Sequence, residues 1–135
     1  MTVTANIIAA ITAKLVAAGL TVREDTEALY SFENFPCIVI DCGDEYPVQT
    51  FAGGVTDWNL TVTLCIGADG PVPKLAPEPT RATAHTAMYA DRTLGGVVLD
   101  LIVGQITRSI DADNPAAGIT QAIYQVKYRS PESIA

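Results

Sequence analysis

The chain has 135 residues and a mass of 14.2 kDa, a size typical of one domain with one hydrophobic core. Hydrophobic residues make up 49% and charged residues 17% of the sequence, a balance that excludes intrinsic disorder. The net charge of −7 argues against nucleic acid or an anionic membrane as a binding partner. We therefore expect a single folded domain over residues 1–135.

The basic residues are scattered singly, whereas phosphate binding needs them clustered. They are Lys14, Arg23, Lys74, Arg81, Arg92, Arg108, Lys127 and Arg129. DNA passing near such an acidic chain would be repelled and would slide past. No apolar run approaches the ~18 residues that span a bilayer, and the N-terminus lacks the basic region of a signal peptide. We expect synthesis in the cytoplasm.

The first predicted element is an amphipathic helix rich in alanine. Isoleucine and leucine recur in it at helical spacing. Thr2 or Thr4 can cap its start, and Gly19 can end it in the left-handed conformation. The following residues 20–23 predict a short strand.

Strand signals dominate the rest of the first half. Residues 35–43 form an apolar run typical of a strand, Gly43-Asp44 predicts a turn, and residues 46–51 predict a second strand. Gly53-Gly54 marks a flexible tip. Residues 57–66 then alternate apolar and polar side chains, which predicts an antiparallel sheet with one buried face.

The second half predicts a surface connection, a helix and two strands. The connection, residues 67–79, holds four prolines and we expect it to be extended. The elements after it are a helix capped by Thr80 and ending near Asp91, a break at 94–96, a strand late in 97–110, a loop at 111–118 and a strand at 119–129. This order predicts an α+β fold: a mainly antiparallel sheet with about two helices packed on one face.

No constellation of catalytic side chains emerges from the sequence. The single histidine, His85, falls inside a predicted helix with no partner at a meaningful spacing. The three cysteines, Cys37, Cys42 and Cys65, lie in strand-like runs, so we interpret them as reduced core thiols and not as zinc ligands. We expect no enzyme activity, no cofactor and no metal site.

Two features keep an alternative open. Asp111 with Asp113, or Asp41 with Asp44 and Glu45, could bind a divalent cation in a turn, although solvated turn carboxylates are commoner. The single tryptophan, Trp58, fits core packing better than an interface anchor, although tryptophan is enriched at interface centres.

Several short motifs, taken in order, resemble the tail terminator (tail completion) proteins of tailed bacteriophages. The motifs are Leu20-Thr21-Val22-Arg23, Phe35-Pro36-Cys37-Ile38-Val39-Ile40, the Trp58 strand, the proline-rich connection into a helix, Asp91-Arg92-Thr93-Leu94-Gly95-Gly96 and Tyr124-Gln125-Val126-Lys127-Tyr128-Arg129. The resemblance covers nearly the whole chain. It carries over Leu94, Gly95, Gly96, Tyr128 and Arg129, and these only as structural features.

The resemblance implies a small α+β subunit that forms a hexameric ring on the head-proximal end of the tail tube. Its partners would be copies of itself, the tail tube protein and the head–tail connector or neck proteins, with DNA passing through the lumen unbound. We expect subunit and tube contacts, on our own reasoning, at Phe51, Gly53, Gly54, Trp58, Pro71, Pro73, Lys74, Arg81, Tyr128 and Arg129. The protein would be located in the virion tail after assembly in the host cytoplasm.

Alternative functions stay open from the sequence alone. A different neck subunit would share the acidic charge and the ring symmetry but would bind on the portal side. A small ligand-binding or enzymatic α+β domain would use Asp111, Asp113 or His85. A dimeric scaffold is the third alternative.

Overall fold

Two helices and a five-stranded sheet make up the protein in a computed structural model, which describes residues 2–23, 36–111 and 115–131. The elements in chain order are α1 (Val3–Ala17), β1 (Val22–Arg23), β2 (Cys37–Phe51), β3 (Val55–Asp69), α2 (Glu78–Tyr89), β4 (Asp100–Ile110) and β5 (Ala117–Pro131). A 3-10 turn at Pro73–Leu75 precedes α2. The predicted α+β class is confirmed.

The strand order in the sheet is β1-β2-β3-β5-β4. The short β1 pairs with β2 in parallel, and the other pairings are all antiparallel. β5, the last strand in the sequence, therefore lies between β3 and β4, so that Val62 faces Tyr124. β3 and β5 are interior strands, while β2 and β4 lie towards the two sides of the sheet.

The hydrophobic core lies between one face of the sheet and the two helices, as predicted. The alternating side chains of β3 point into it, and Leu60, Val62, Leu64 and Ile66 are fully buried. The helices and β5 complete it with Ile7, Ile11, Leu15, Ala84, Met88, Ala122, Tyr124, Val126 and Tyr128. Burying one such large apolar side chain stabilises the fold by roughly 1.5–3 kcal/mol.

The predicted turn at Gly43-Asp44 is wrong. β2 runs unbroken through it, and a bulge of one extra residue falls between Cys42 and Glu45 relative to β3. Glycine suits this bulge because a Cβ at Gly43 would lie 3.1 Å from the carbonyl oxygen of Thr61. The two strands predicted from residues 35–51 are thus one strand; Phe35 itself lies outside the described residues.

The predicted Thr80 cap is also wrong, because α2 begins two residues earlier at Glu78. Pro79 occupies the first turn, where its missing N–H costs no helical hydrogen bond. The extended connection predicted over 67–79 is correspondingly shorter. Its first residues complete β3, and its middle forms the 3-10 turn.

The cysteine prediction holds for two of the three thiols. Cys37 and Cys65 are buried, and burial raises the pKa of each. Cys42 is exposed, which corrects its interpretation as a core thiol. No disulfide links the three cysteines.

The predicted break after α2 is confirmed and has a specific cause. The Asp91 carboxylate accepts hydrogen bonds from the Thr93 hydroxyl at 2.7 Å and the Gly95 amide at 2.8 Å. α2 ends at Tyr89, and the positive φ of Leu94, Gly95 and Gly96 prevents the helix from resuming before β4. The Thr93 hydroxyl contributes most to lowering the pKa of Asp91.

Candidate assembly surfaces

The tip of the β2–β3 hairpin brings together four of the predicted contact residues. Gly53 and Gly54 adopt φ values of 95° and 79°, which only glycine tolerates easily. The Arg129 guanidinium lies 4.8 Å from the centre of the Phe51 ring and pairs with Asp57 at 2.7 Å. The hydrogen bond from Arg129 lowers the pKa of Asp57. At the tip, the apolar ring of Phe51 therefore lies against an ion pair whose two charges cancel.

Just below the tip, two predicted contact residues belong to the interior. The Trp58 and Tyr128 rings stack with centroids 6.4 Å apart, and Trp58 packs against the core. Tyr128 is fully buried within the chain and supports the surface from beneath. The Trp58 indole N–H is buried and has no acceptor within the described residues.

Glu45, named from the sequence only as a candidate cation ligand, ties the middle of β2 to the core. The Tyr128 hydroxyl donates to the Glu45 carboxylate at 2.6 Å, and the Thr4 hydroxyl donates to it at 3.0 Å. Burial and this bond raise the pKa of Tyr128 to about 12. Glu45 and Tyr128 are 83 positions apart, so no local sequence signal could have paired them.

The remaining predicted contact residues lie at the opposite end of the sheet. Pro71, Pro73 and Lys74 belong to the connection after β3, and Arg81 follows in α2. The 15 residues of β3 separate this end from the hairpin tip, a distance of roughly 45 Å for an extended strand. The ten predicted residues therefore form two separate groups and not one site.

An ion-pair cluster and a tight backbone contact fix this second end. The Glu78 carboxylate binds Arg81 at 2.9 Å and also pairs with Arg108 of β4. The hydrogen bond from Arg81 is the main reason that the pKa of Glu78 is lowered. A Cβ on Gly118 would lie 1.8 Å from the carbonyl oxygen of Pro73, so the 3-10 turn packs directly on β5.

The longest run of exposed residues in the described part of the chain covers the second half of β2. Every residue from Asp41 to Phe51 is exposed. The exposed fractions of Tyr46 and Val48 are 53% and 59%. Long strand edges with apolar side chains are rare on free surfaces because they invite pairing with another chain. β4 at the other side also exposes apolar side chains, among them Ile102 at 38%.

The sheet face that points away from the helices carries an uncharged polar network at its centre. The Asn59 amide donates to the Tyr46 hydroxyl at 3.1 Å and to the Gln125 side-chain oxygen. Thr61 donates to the same oxygen of Gln125 at 3.3 Å. The charged residues of β3 and β5 beside this network are Lys127, which is exposed opposite Asn59, and the ion pair between Asp57 and Arg129.

The candidate chemical groups are not brought together. His85 contacts aromatic side chains: its Nδ1 lies 3.0 Å from the Tyr124 hydroxyl, and its ring lies 4.2 Å from that of Tyr89. Burial raises the pKa of Tyr124 to about 12. Asp111 is buried at the end of β4, and Asp113 lies outside the described residues.

No cation site is assembled in the part of the chain that the structure describes. There, no three His, Cys, Asp or Glu side chains lie close enough to hold a metal ion. Asp41 and Asp44 are exposed on β2, and Glu45 is occupied by its two hydroxyl donors. Neither helix of the described ranges has the length and apolarity that a membrane crossing requires.

Comparison with known proteins identifies no family. No protein-family model matches the chain, and no curated protein is significantly similar to it in sequence. A crystal structure of an Akkermansia muciniphila protein is 8% identical over 96% of this chain and 74% of its own, with a TM-score of 0.38. A second protein of that organism, solved without its transmembrane region, is 8% identical over 95% and 80%, with a TM-score of 0.35. Likenesses this distant carry no argument about function.

Proposed function

We propose that this chain is a structural virion protein, a tail terminator that forms a hexameric ring on the head-proximal end of a phage tail tube. The ring stops tube polymerisation and presents the surface to which the head is joined. It performs no catalysis and needs no cofactor. The sequence resemblance supports this identity, and one structural observation supports the mode of action.

That observation is the unbroken exposed stretch of β2. Eleven consecutive strand residues, Asp41–Phe51, end in an apolar hairpin tip and carry Tyr46 and Val48 on the outside. A strand of this kind is stabilised when another chain covers it. Subunits that join head to tail through different surfaces close into rings when the rotation permits. An assembly subunit needs such surfaces, whereas an enzyme of this size needs a cleft with convergent polar groups.

The charge distribution agrees with a lumen through which DNA slides. The net charge of −7 repels phosphates, and the sheet face that points away from the helices has only one lysine, Lys127, directly beside its polar network in the described residues. The tail tube protein and the neck proteins would bind the two ends of the ring. The hairpin tip and the proline-rich end, which lie at opposite ends of the sheet, are the surfaces available for them.

The first test is the mass of the purified chain in solution, measured by light scattering over a wide concentration range. We expect a species of about 85 kDa, six times the subunit mass of 14.2 kDa. A monomer at every concentration, and also in the presence of tube ends, would contradict the proposal.

A second test separates the terminator from its rivals. In a phage that encodes this chain, its removal should give overlong tails; tails of normal length that fail to join heads would indicate a neck subunit instead. Replacing His85, Asp111 and Asp113 together by alanine should leave assembly intact. If that variant assembled but lost a measurable turnover, a catalytic domain would be the better interpretation.

A further inference from the structure

We infer that three side chains around the end of α2 and the start of β4 protect the β4 side of the sheet against the addition of another strand. They bind backbone groups of β4 that point away from β5, which are the groups that an added strand would need. We call these three residues, Tyr89, Arg92 and Asp100, the edge cap. The edge cap belongs to the folded subunit, so it goes beyond the proposed function and does not depend on it.

Three outward-facing backbone groups in the first half of β4 are bonded to the edge cap. The Val103 amide donates at 2.8 Å to the Tyr89 hydroxyl. The Leu101 carbonyl accepts from the Arg92 Nε at 3.1 Å, and the Leu101 amide donates at 2.8 Å to the Asp100 carboxylate. A strand that arrived at this side would have to break these bonds before it could form a ladder with β4.

The side chains of the edge cap hold one another in place. The Arg92 guanidinium binds both oxygens of the Asp100 carboxylate, each at 2.9 Å. The same guanidinium lies 4.9 Å from the centre of the Tyr89 ring, and that ring packs against the core. The edge cap is therefore anchored to the body of the protein through Tyr89.

The second half of β4 has no such cap among the described residues. Ile106 lies opposite a core residue of β5, and Arg108 pairs with Glu78 of α2, so both project on the helix-bearing face as Leu101 does. Residues of one strand that project on the same face direct their N–H and C=O groups to the same side, so Ile106 and Arg108 also face outward. The edge cap therefore limits the open edge to the short stretch Ile106–Ile110, and a short edge is a weak template for pairing.

The opposite side of the sheet is protected in a different way. β2 has register shifts between Cys42 and Glu45 and between Pro47 and Gln49. Pro47 has no N–H to donate, and bulges and prolines on sheet edges discourage pairing with another chain. Among the described residues, the protection of β2 is thus built into its backbone, whereas that of β4 depends on side chains that can be replaced.

Removal of the edge cap should allow copies of the chain to pair through β4. R92A/D100A frees both backbone groups of Leu101 and leaves the net charge at −7, since one charge of each sign is lost. The two side chains are 43% and 39% exposed, so the fold should tolerate their loss. Adding Y89F frees the Val103 amide and keeps the ring that packs against the core. By light scattering, the triple variant should reach at least about twice the wild-type mass at the same concentration.

The matched control removes an ion pair of the same kind from interior strands. D57A/R129A also deletes one charge of each sign, but Asp57 and Arg129 lie on β3 and β5, which are paired on both sides. Its mass should not exceed that of the wild type. Equal growth of the control, or a triple variant that keeps the wild-type mass, would overturn the inference. The wild-type mass itself tests the proposed ring, so the two failures are distinguishable.

Amide hydrogen exchange tests the edge cap without the triple variant. In the wild type, the Leu101 and Val103 amides should be protected although they face away from β5. In the single variant Y89F, the Val103 amide should exchange up to about tenfold faster because its acceptor is lost, while the Leu101 amide should be unchanged. Rapid exchange of Val103 in the wild type, or no acceleration in Y89F, would show that Tyr89 does not close this edge.

Discussion

Two strands of equal length have opposite surroundings in this protein. β5 has 15 residues, pairs along both sides and buries Ala122, Tyr124, Val126 and Tyr128 to within 1% exposure. β2 also has 15 residues, but among the described residues its second half pairs on one side only and is exposed throughout. The difference shows that strand-forming sequence and strand environment are separate properties, because the environment depends on where the chain places each strand in the sheet.

The largest expected effect is the difference in stability loss between truncating an interior side chain and truncating an edge side chain. Leu64→Ala removes a fully buried side chain of β3 and should lower the free energy of unfolding by about 3 kcal/mol. Val48→Ala on the exposed half of β2 should change it by less than about 0.5 kcal/mol. Urea denaturation of the two variants measures both. Equal losses would show that the β2 edge is covered even in the isolated chain.

A close backbone contact at the start of β5 tests how tightly the interior strand is packed. Gly118→Ala should cost about 2 kcal/mol, because the new Cβ would meet the Pro73 carbonyl and force the 3-10 turn away. Gly70→Ala is the matched control, since its Cβ would make an ordinary 3.4 Å contact with Ala76. Thermal unfolding of the pair gives the difference. A stable G118A variant would mean that the turn can shift without loss.

One hydrogen bond connects the interior strand β5 to the exposed strand β2, and its removal should make the backbone of β2 more mobile. Tyr128→Phe deletes the hydroxyl that donates to Glu45 and should cost about 1.5 kcal/mol, the value typical of a bond to a charged group. Glu45→Gln keeps an acceptor and should cost less. Amide exchange around the Gly43-Asp44 bulge should accelerate in Y128F. Unchanged exchange there would show that Glu45 does not anchor the edge.

The two buried tyrosines of the interior strand β5 should titrate late in an alkaline titration. The pKa values of Tyr124 and Tyr128 are raised to about 12 from the ordinary 10.0, chiefly by burial. The folded state therefore holds these protons more tightly than the unfolded state. Their contribution to stability is fully present below pH 10 and is lost as the pH rises through about 12. Tyrosinate absorbance should show two late transitions, and Y128F should remove one of them.

The sequence was sufficient wherever the local pattern decides the structure. Alternation in residues 57–66 predicted β3 and its buried face, and helical spacing predicted α1. The Gly43-Asp44 bulge was misread because a glycine–aspartate pair suits a turn and a bulge equally well. The start of α2 was misplaced because Pro79 is tolerated in a first helical turn.

The candidate surfaces were predicted less completely, for a reason that lies in the topology. Phe51, Gly53, Gly54 and Arg129 were chosen for their residue types, and they do meet at the hairpin tip. The exposure of Tyr46 and Val48 follows only from the strand order, which leaves β2 at a side. The Glu45–Tyr128 bond joins distant positions and has no local signal.

The insertion of β5 between β3 and β4 also sets an order of events in folding. The β2–β3 hairpin closes over a few residues, whereas Val62 and Tyr124 must meet across a long intervening segment. Until the last strand arrives, β3 itself is an open edge, and newly made chains are vulnerable to pairing with the wrong copy. Correct folding therefore requires that each chain complete its own sheet before it meets another chain, so the yield of folded protein should fall as the rate of synthesis rises.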